Sequence, residues 1–140
     1  MENNSSEHLE MSNFSEKQQI IFKWWRDPKL KNMDGIICDG AIRSGKTSCM
    51  SLSFVIWASI WFNDRSFAFC GKTIGSLRRN MLRELISRLN HFGFEVKDNV
   101  SRNYLDITFG DNTNRFYIFG GKDESSSSLI QGVTLAGIFL

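Results

Sequence analysis

An eight-residue motif, GAIRSGKT at residues 40–47, constrains the fold of this chain more than any other feature. It satisfies the pattern GxxxxGK[ST], with the apolar run IIC just before it and a longer apolar stretch after it. The glycines permit positive φ and let another group approach the backbone amides closely. The motif therefore predicts a short buried strand at residues 36–39, a glycine turn, and a buried helix at residues 44–62.

Backbone N–H groups in such a turn, together with the positive end of the following helix, favour binding of an anion. The pattern is typical of the phosphate-binding loop (P-loop) of nucleoside triphosphatases. Lys46 is expected to reach the β and γ phosphates, and the Thr47 hydroxyl to complete the shell of a Mg²⁺ ion. The predicted nucleotide-binding residues of the motif are Gly40, Ala41, Ile42, Arg43, Ser44, Gly45, Lys46 and Thr47.

Arg43 stands inside this loop, and two readings of it stay open. A guanidinium at this position would reach the γ phosphate and stabilise charge that develops in the transition state. Alternatively, Arg43 is a surface arginine that faces solvent or an acidic neighbour. On the first reading, Arg43 joins Lys46 as a catalytic residue.

Helices and strands alternate along the rest of the chain. A capping box at Ser15 and Gln18 predicts a helix that ends before Pro28. The other predicted elements are a strand at 65–71, a helix capped by Ser76 and ending at Phe92, hairpin strands at 104–109 and 115–119, a polar loop at 120–128 and a strand at 134–140. This order predicts an α/β fold with a parallel sheet covered by helices and extended by a hairpin.

Charge and cysteine content bear on the class of protein. Residues 1–13 are polar and without period, so we expect a flexible leader before one folded unit at residues 14–140. Residues 1–16 hold four of the fifteen acidic residues and no lysine or arginine, unlike a signal peptide. Residues 17–140 then carry seventeen basic against eleven acidic residues, which suits either a polyanionic partner or an ordinary basic surface.

The three cysteines, Cys38, Cys49 and Cys70, have no CxxC spacing, and we expect buried thiols in a reducing, cytosolic compartment. The apolar stretch at residues 49–62 is fourteen residues long, shorter than the roughly 20 residues that a membrane crossing needs. We therefore expect no association with a membrane.

Two surfaces are candidates for contact with nucleic acid. The helix ending at Phe92 carries an apolar stripe, and its other side bears Arg78, Arg79, Arg83 and Arg88 with Glu84 as its one acid. This side would contact DNA phosphates or a neighbouring subunit, or it is simply a solvated basic face. The aromatic residues of the hairpin are expected in the core and in cross-strand pairs rather than as platforms for bases.

The motif and its flanks resemble a known family. IICDGAIRSGKT, preceded by FSEKQQIIFKWW and followed by FAFCGKTIGSLRRNML, is similar to the N-terminal ATPase part of tailed-phage terminase large subunits, especially the PBSX-like group. The resemblance runs from residue 14 to residue 140. It implies a P-loop NTPase of the additional-strand class, a three-layer αβα sandwich, whose cofactors are ATP and Mg²⁺.

The resemblance also implies a function and partners. Such an ATPase powers the packaging of double-stranded DNA into procapsids in the cytoplasm of a bacterial host. Its partners would be double-stranded DNA, the small terminase subunit, the portal protein and other copies in a homo-oligomeric ring. In this family a glutamine upstream of the loop contacts adenine, and Gln18 matches its place, with Gln19 as the alternative; Gln18 is also a capping-box residue and could serve only as a cap.

One departure from the family stands out. These ATPases have an apolar strand that ends in Asp-Glu, which hold Mg²⁺ and activate water, and LAGIFL matches that strand without the acidic pair after it. Asp123 and Glu124 precede the strand and are no substitute. We therefore expect an ATPase domain incomplete at its C-terminus and lacking the nuclease, either a truncated gene product or an incomplete reading frame, which binds nucleotide but hydrolyses it poorly.

Two other functions remain open from the sequence. A helicase-like ATPase would share the motif and the α/β order. A noncatalytic remnant that binds DNA or the small terminase subunit would share the sequence but not the ability to bind nucleotide.

Overall fold

A mixed five-stranded sheet is the centre of the structure, a computed structural model that describes residues 14–41 and 44–140. The leader predicted at residues 1–13 lies outside the described residues. The strands are β1 (Ser66–Gly71), β2 (Glu95–Asn99), β3 (Tyr104–Phe109), β4 (Asn112–Gly120) and β5 (Gly137–Phe139). The helices are α1 (Glu16–Lys23), α2 (Lys46–Trp61), α3 (Ile74–Leu77), α4 (Arg83–His91) and α5 (Glu124–Gln131).

The strands follow the order β2-β3-β4-β1-β5. β1 runs parallel to both of its neighbours, β4 and β5, whereas β3 runs antiparallel to β2 and β4. The predicted hairpin is confirmed, although its turn is shorter than predicted because β4 already begins at Asn112. The fold is thus α/β with one mixed sheet.

One face of the sheet packs against α2. Alternation along the strands puts Phe67 and Phe69 of β1 beside Phe116 and Ile118 of β4, and all four are fully buried. Phe54 of α2 lies over them, with its ring centroid 5.7–6.0 Å from those of Phe67, Phe69 and Phe116. Helices α1 and α4 pack against α2, so this helix is the centre of the core. The opposite helical layer of a three-layer sandwich stays a prediction.

The strand predicted at residues 36–39 is wrong. These residues have no assigned strand, and Ile37 is 97% exposed. A strand requires a ladder of hydrogen bonds to a neighbour, and among the described residues none pairs with this segment. An apolar run reports a tendency to be buried but does not supply that partner.

The helical region after β1 begins earlier than predicted. Its N-cap is Thr73, whose hydroxyl accepts the Ser76 N–H at 3.1 Å, so Ser76 is not the cap. Residues Arg78–Leu82 form a π-helical turn that joins α3 to α4. The predicted apolar stripe is confirmed, because Leu77, Met81, Leu82, Leu85 and Leu89 are all buried.

Two elements were not predicted. β2 is a charged edge strand with a single apolar residue, Val96, and its pairing with β3 is the reason for its extended form. α5 occupies the polar segment read as a loop. The Ser126 hydroxyl accepts the buried Gly120 N–H at 3.1 Å, and this contact at the end of β4 starts a helix in a serine-rich segment.

The three cysteines are free thiols, but only Cys49 is buried, whereas Cys38 and Cys70 are half-buried. Burial raises the pKa of Cys49 from 9.0 to about 11. Within residues 14–41 and 44–140, no helix has the length and apolar character needed to cross a membrane.

Candidate functional site

The candidate site lies where the loop of the motif meets α2. Gly45 is the N-cap of this helix and has φ +74°, a left-handed conformation that glycine adopts without a steric penalty. The helix then begins at Lys46, and the Cys49 N–H donates to the Gly45 carbonyl at 3.0 Å. Free N–H groups at this helix end face the loop, as anion binding requires.

Lys46 folds back into the loop. Its ammonium donates to the carbonyls of Gly40 and Ala41, each at 2.6 Å, and to the Ser44 hydroxyl at 3.2 Å. These contacts hold a positive charge at the centre of the turn. A phosphate group would offer the same ammonium an anionic acceptor, and such charge-assisted bonds are about twice as strong as neutral ones.

Ile42 and Arg43, the two middle residues of the motif, lie outside the described residues. The role predicted for Arg43 at the γ phosphate therefore stays a prediction. The six other motif residues are described, and Ser44, Gly45, Lys46 and Thr47 line a common cavity.

This cavity has a volume of about 500 Å³ and two walls. The first is the loop with the start of α2, up to Ser51. The second comes from the π turn and α4, and the sequence had not assigned it to the site: Asn80, Met81, Glu84 and Leu85. Helix periodicity predicted that Met81 and Leu85 are buried, but nothing in the sequence indicated that Asn80 and Glu84 face the loop.

Glu84 is the carboxylate of the second wall. Its Oε1 accepts the Ser48 hydroxyl at 2.9 Å, and the same oxygen forms an ion pair with Arg88 at 2.8 Å. The pairing of Glu84 with Arg88 is visible in the sequence as an i,i+4 spacing. Its contact with Ser48, next to Thr47, depends on how α4 packs against α2.

Thr47, the predicted Mg²⁺ ligand, is exposed at the mouth of this cavity. Among the described residues, no group of three or more His, Cys, Asp or Glu side chains is placed to hold a metal ion. A hydroxyl suits Mg²⁺ where phosphate oxygens and water supply the remaining ligands. The described residues therefore fit a Mg²⁺ that arrives with a nucleotide, not one held by protein alone.

Gln18 reaches the loop from α1. Its Nε2 donates to the Ser44 carbonyl at 2.9 Å, while its Oε1 accepts the Ser15 N–H at 2.9 Å. The second bond belongs to the predicted capping box, which is confirmed, because the Ser15 hydroxyl also accepts the Gln18 N–H. Gln19, the alternative, donates instead to the Phe14 carbonyl at 3.1 Å.

The arginine-rich side of the π turn and α4 is partly neutralised. Arg78 donates to both carboxylate oxygens of Asp98 at 2.9–3.0 Å, and Arg88 pairs with Glu84. Arg79 and Arg83 are exposed. The sequence missed the role of Asp98 because this residue lies on β2, which was itself not predicted. Two pairs thus favour the reading of a solvated basic face.

The hairpin aromatics pack largely as expected. Phe116 and Phe119 are buried, Tyr117 stacks on Phe119 with the ring centroids 5.9 Å apart, and Tyr104 meets Tyr117 edge-on. Phe109 is 42% exposed but stacks on Phe94 at 4.4 Å. These contacts are those of core and cross-strand pairs.

No protein-family model matches the chain, and no curated protein sequence matches it. Solved structures do match, and three of them are of the large terminase of one thermophilic bacteriophage. The first aligns with a TM-score of 0.87 and 55% identity, and it covers 90% of this chain and 31% of the terminase chain.

Two further structures contain nucleotides. The complex of that terminase with ADP aligns with a TM-score of 0.84 and 54% identity over 90% of this chain and 31% of the terminase. The complex with ATP-gamma-S aligns with a TM-score of 0.82 and 50% identity over 90% and 30%. The chain thus spans about a third of the length of the proteins it matches. The resemblance found in the sequence is confirmed, and the chain is a relative of the large terminases of bacteriophages.

Proposed function

We propose that this chain binds MgATP at residues 40–47 and forms part of the ATPase motor of a phage terminase large subunit. In that role it helps to power the packaging of double-stranded viral DNA into procapsids. The observation that carries the proposal is the Lys46 ammonium, held inside a glycine loop at the positive end of a 16-residue helix. The terminase solved with ADP and with ATP-gamma-S, at 54% and 50% identity, supports the choice of an adenine nucleotide.

Each residue of the loop has a proposed task. Lys46 exchanges its bonds to the Gly40 and Ala41 carbonyls for bonds to the β and γ phosphates. The Thr47 hydroxyl takes one position on Mg²⁺. Arg43 binds the γ phosphate and stabilises charge in the transition state. Bound Mg²⁺ neutralises the phosphate oxygens and polarises the bond to be broken.

Slow hydrolysis by the 140-residue chain is also proposed. Glu84 is the carboxylate among the described residues that line the cavity, and its Oε1 is occupied by Ser48 and Arg88. A carboxylate so engaged is a poor general base for water. We expect turnover below about 1 s⁻¹, the lower end of ordinary kcat values.

Partners and location belong to the same proposal. They are double-stranded DNA, the small terminase subunit, the portal protein and further copies in a ring, in the cytoplasm of a bacterial host. The likeness to large terminases supports these partners, and it also favours the terminase over the helicase-like ATPase. The noncatalytic remnant remains an outcome of the experiment below.

Calorimetric titration of the 140-residue chain with MgATP and MgADP tests the proposal. We expect saturable binding that Lys46→Ala weakens at least about 10-fold, because this change removes the ammonium and its charge-assisted bonds to phosphate. Lys97→Ala is the matched control, since Lys97 is an exposed lysine on β2 and is paired with Glu95. Absence of binding by a folded chain, or equal loss in both variants, would refute a nucleotide site in this loop. An ATPase assay on the same protein tests the slow turnover.

A further inference from the structure

Gln18 makes a contact that neither a cap nor a base-reading residue needs. Its side-chain amide joins two segments that lie 26 residues apart, Ser15 at the start of α1 and Ser44 in the phosphate loop. Both distances, from Oε1 to the Ser15 nitrogen and from Nε2 to the Ser44 oxygen, are 2.9 Å. One amide group thus bridges the end of a helix and the loop.

The orientation of this amide follows from the chemistry of its two partners. Ser15 offers a backbone N–H, which needs an oxygen, and Ser44 offers a carbonyl, which needs an N–H donor. Only one of the two possible amide orientations satisfies both. The bridge therefore requires an amide at residue 18, because a carboxylate would place an oxygen against the Ser44 carbonyl.

Gly45 fits the same contact from the side of the loop. A Cβ at this position would lie 3.1 Å from Gln18 Nε2, closer than such contacts ordinarily are, and the backbone there has φ +74°. Glycine thus leaves the space in which the Gln18 amide sits. The loop and the side chain are shaped to each other.

The other end of the bridge is anchored on α2. The Cys49 thiol donates to the Gln18 carbonyl at 3.4 Å, and the Ser53 hydroxyl donates to the Ile21 carbonyl at 2.8 Å. Phe22 is buried in the core beneath them. Since α1 is fixed to the helix that follows the loop, Gln18 acts as a strut between a rigid element and the Ser44 carbonyl.

We propose that Gln18 is a positioning residue, which holds the loop around Ser44 and Gly45 in the conformation that receives phosphate. This inference rests on the nucleotide site proposed above. It differs from the adenine contact that the family resemblance implies, because Oε1 and one N–H of Nε2 are already engaged by the chain itself. A positioning residue acts on every ligand that carries the phosphates, whatever base is attached.

The test is a comparison of three ligands: MgATP, MgGTP and magnesium tripolyphosphate, which has no base. For Gln18→Ala we expect all three dissociation constants to rise by a similar factor of about 2 to 10, the loss of one hydrogen bond that holds the loop. Gln18→Glu should weaken all three at least as much, because its carboxylate faces the Ser44 carbonyl and adds negative charge near the phosphates.

Ser15→Ala is the matched control. It removes the hydroxyl that caps α1 and leaves the Ser15 N–H and the bridge in place, so it separates stability of α1 from positioning of the loop. We expect its dissociation constants to stay within about 2-fold of the wild type, since a lost cap acts on helix stability. Thermal unfolding of each variant confirms that the proteins compared are folded.

Three results would overturn the proposal. One is a loss confined to MgATP in Gln18→Ala, which would mean that Gln18 reads adenine. Another is unchanged binding of all three ligands, and the third is an equal loss in Ser15→Ala. Failure of the nucleotide site itself is distinguishable, because the wild-type chain would then bind none of the ligands, or Lys46→Ala would leave their binding unchanged.

Discussion

Replacing Asn114 by alanine should destabilise the fold more than replacement of any other polar residue that joins the sheet to α2. Asn114 lies on β4 and is only 1% exposed. Its Nδ2 donates to the Phe62 carbonyl at 2.8 Å and to the Ala58 carbonyl at 3.3 Å, and its Oδ1 accepts the Arg65 N–H at 3.0 Å. One side chain thus fixes the end of α2 and the start of β1 to the middle of the sheet.

The magnitude follows from the groups that are left behind. The Ala58 carbonyl keeps the Phe62 N–H at 3.0 Å, but the Phe62 carbonyl and the Arg65 N–H each lose this side-chain partner. Each lost hydrogen bond costs about 0.5–1.5 kcal/mol, and more where a buried group stays unpaired. For Asn114→Ala we therefore expect a decrease of about 2–4 kcal/mol in the free energy of unfolding.

Urea denaturation followed by circular dichroism measures this decrease, provided that the slope of the transition is unchanged. Asn112→Ala is the matched control, because Asn112 donates a single bond, to the Ser59 carbonyl at 2.9 Å, and should lose about 1 kcal/mol. Asn114→Asp should cost more than Asn114→Ala, since it sets a carboxylate oxygen against two carbonyls. A loss below about 1 kcal/mol in Asn114→Ala, or an aspartate variant more stable than the alanine variant, would refute this reasoning.

Three further perturbations test other parts of the structure. Gly45→Ala should cost about 1–2 kcal/mol in unfolding free energy, because a side chain is strained at φ +74°, and should weaken MgATP binding; Gly35→Ala, with nothing within 4 Å of its Cβ, should change neither, as denaturation and calorimetry would report. Phe54→Ala should cost about 3–5 kcal/mol by urea denaturation, since its ring contacts Phe67, Phe69 and Phe116; a loss under about 2 kcal/mol would contradict the packing. Because burial raises the pKa of Cys49 from 9.0 to about 11, the unfolded chain releases this proton first, and stability should fall between those pH values; in Cys49→Ala that part of the fall should disappear.

Elements that are specified by neighbouring residues in the sequence were predictable. The capping box at Ser15 is one, since both of its bonds join residues three apart, and α2 is another, because its apolar residues lie in one uninterrupted stretch. The core strand β1 was predicted within one residue of its start. For each of these, the local pattern and the tertiary environment favour the same structure.

Elements that exist because of distant contacts were not predictable in this way. β2 has charged residues at Glu95, Lys97 and Asp98, a composition that indicates an exposed loop, and it is a strand because β3 pairs with it. The reverse holds at residues 36–39, where apolar composition indicates a strand that lacks a partner among the described residues. Strand propensity reports how well a side chain fits a sheet, whereas the ladder depends on a neighbour far away in the sequence.

The candidate site divides in the same way. Residues 40–47 identify themselves because the chemistry of phosphate binding requires those residue types at that spacing. The second wall does not, since Asn80 and Glu84 face the loop only through the packing of α4 on α2.

Gln18 shows why a local pattern leaves a role undecided. From the sequence, a cap and a contact with the ligand were competing explanations of one residue. In the structure its backbone N–H and Oε1 complete the capping box while its Nε2 bonds the Ser44 carbonyl, so different atoms make the two contacts. The cap fixes where the side chain of Gln18 points, and the bond to Ser44 depends on that direction. A residue that satisfies a local rule with some of its atoms therefore keeps others for a distant site, and its explanation by the local rule does not exclude a functional one.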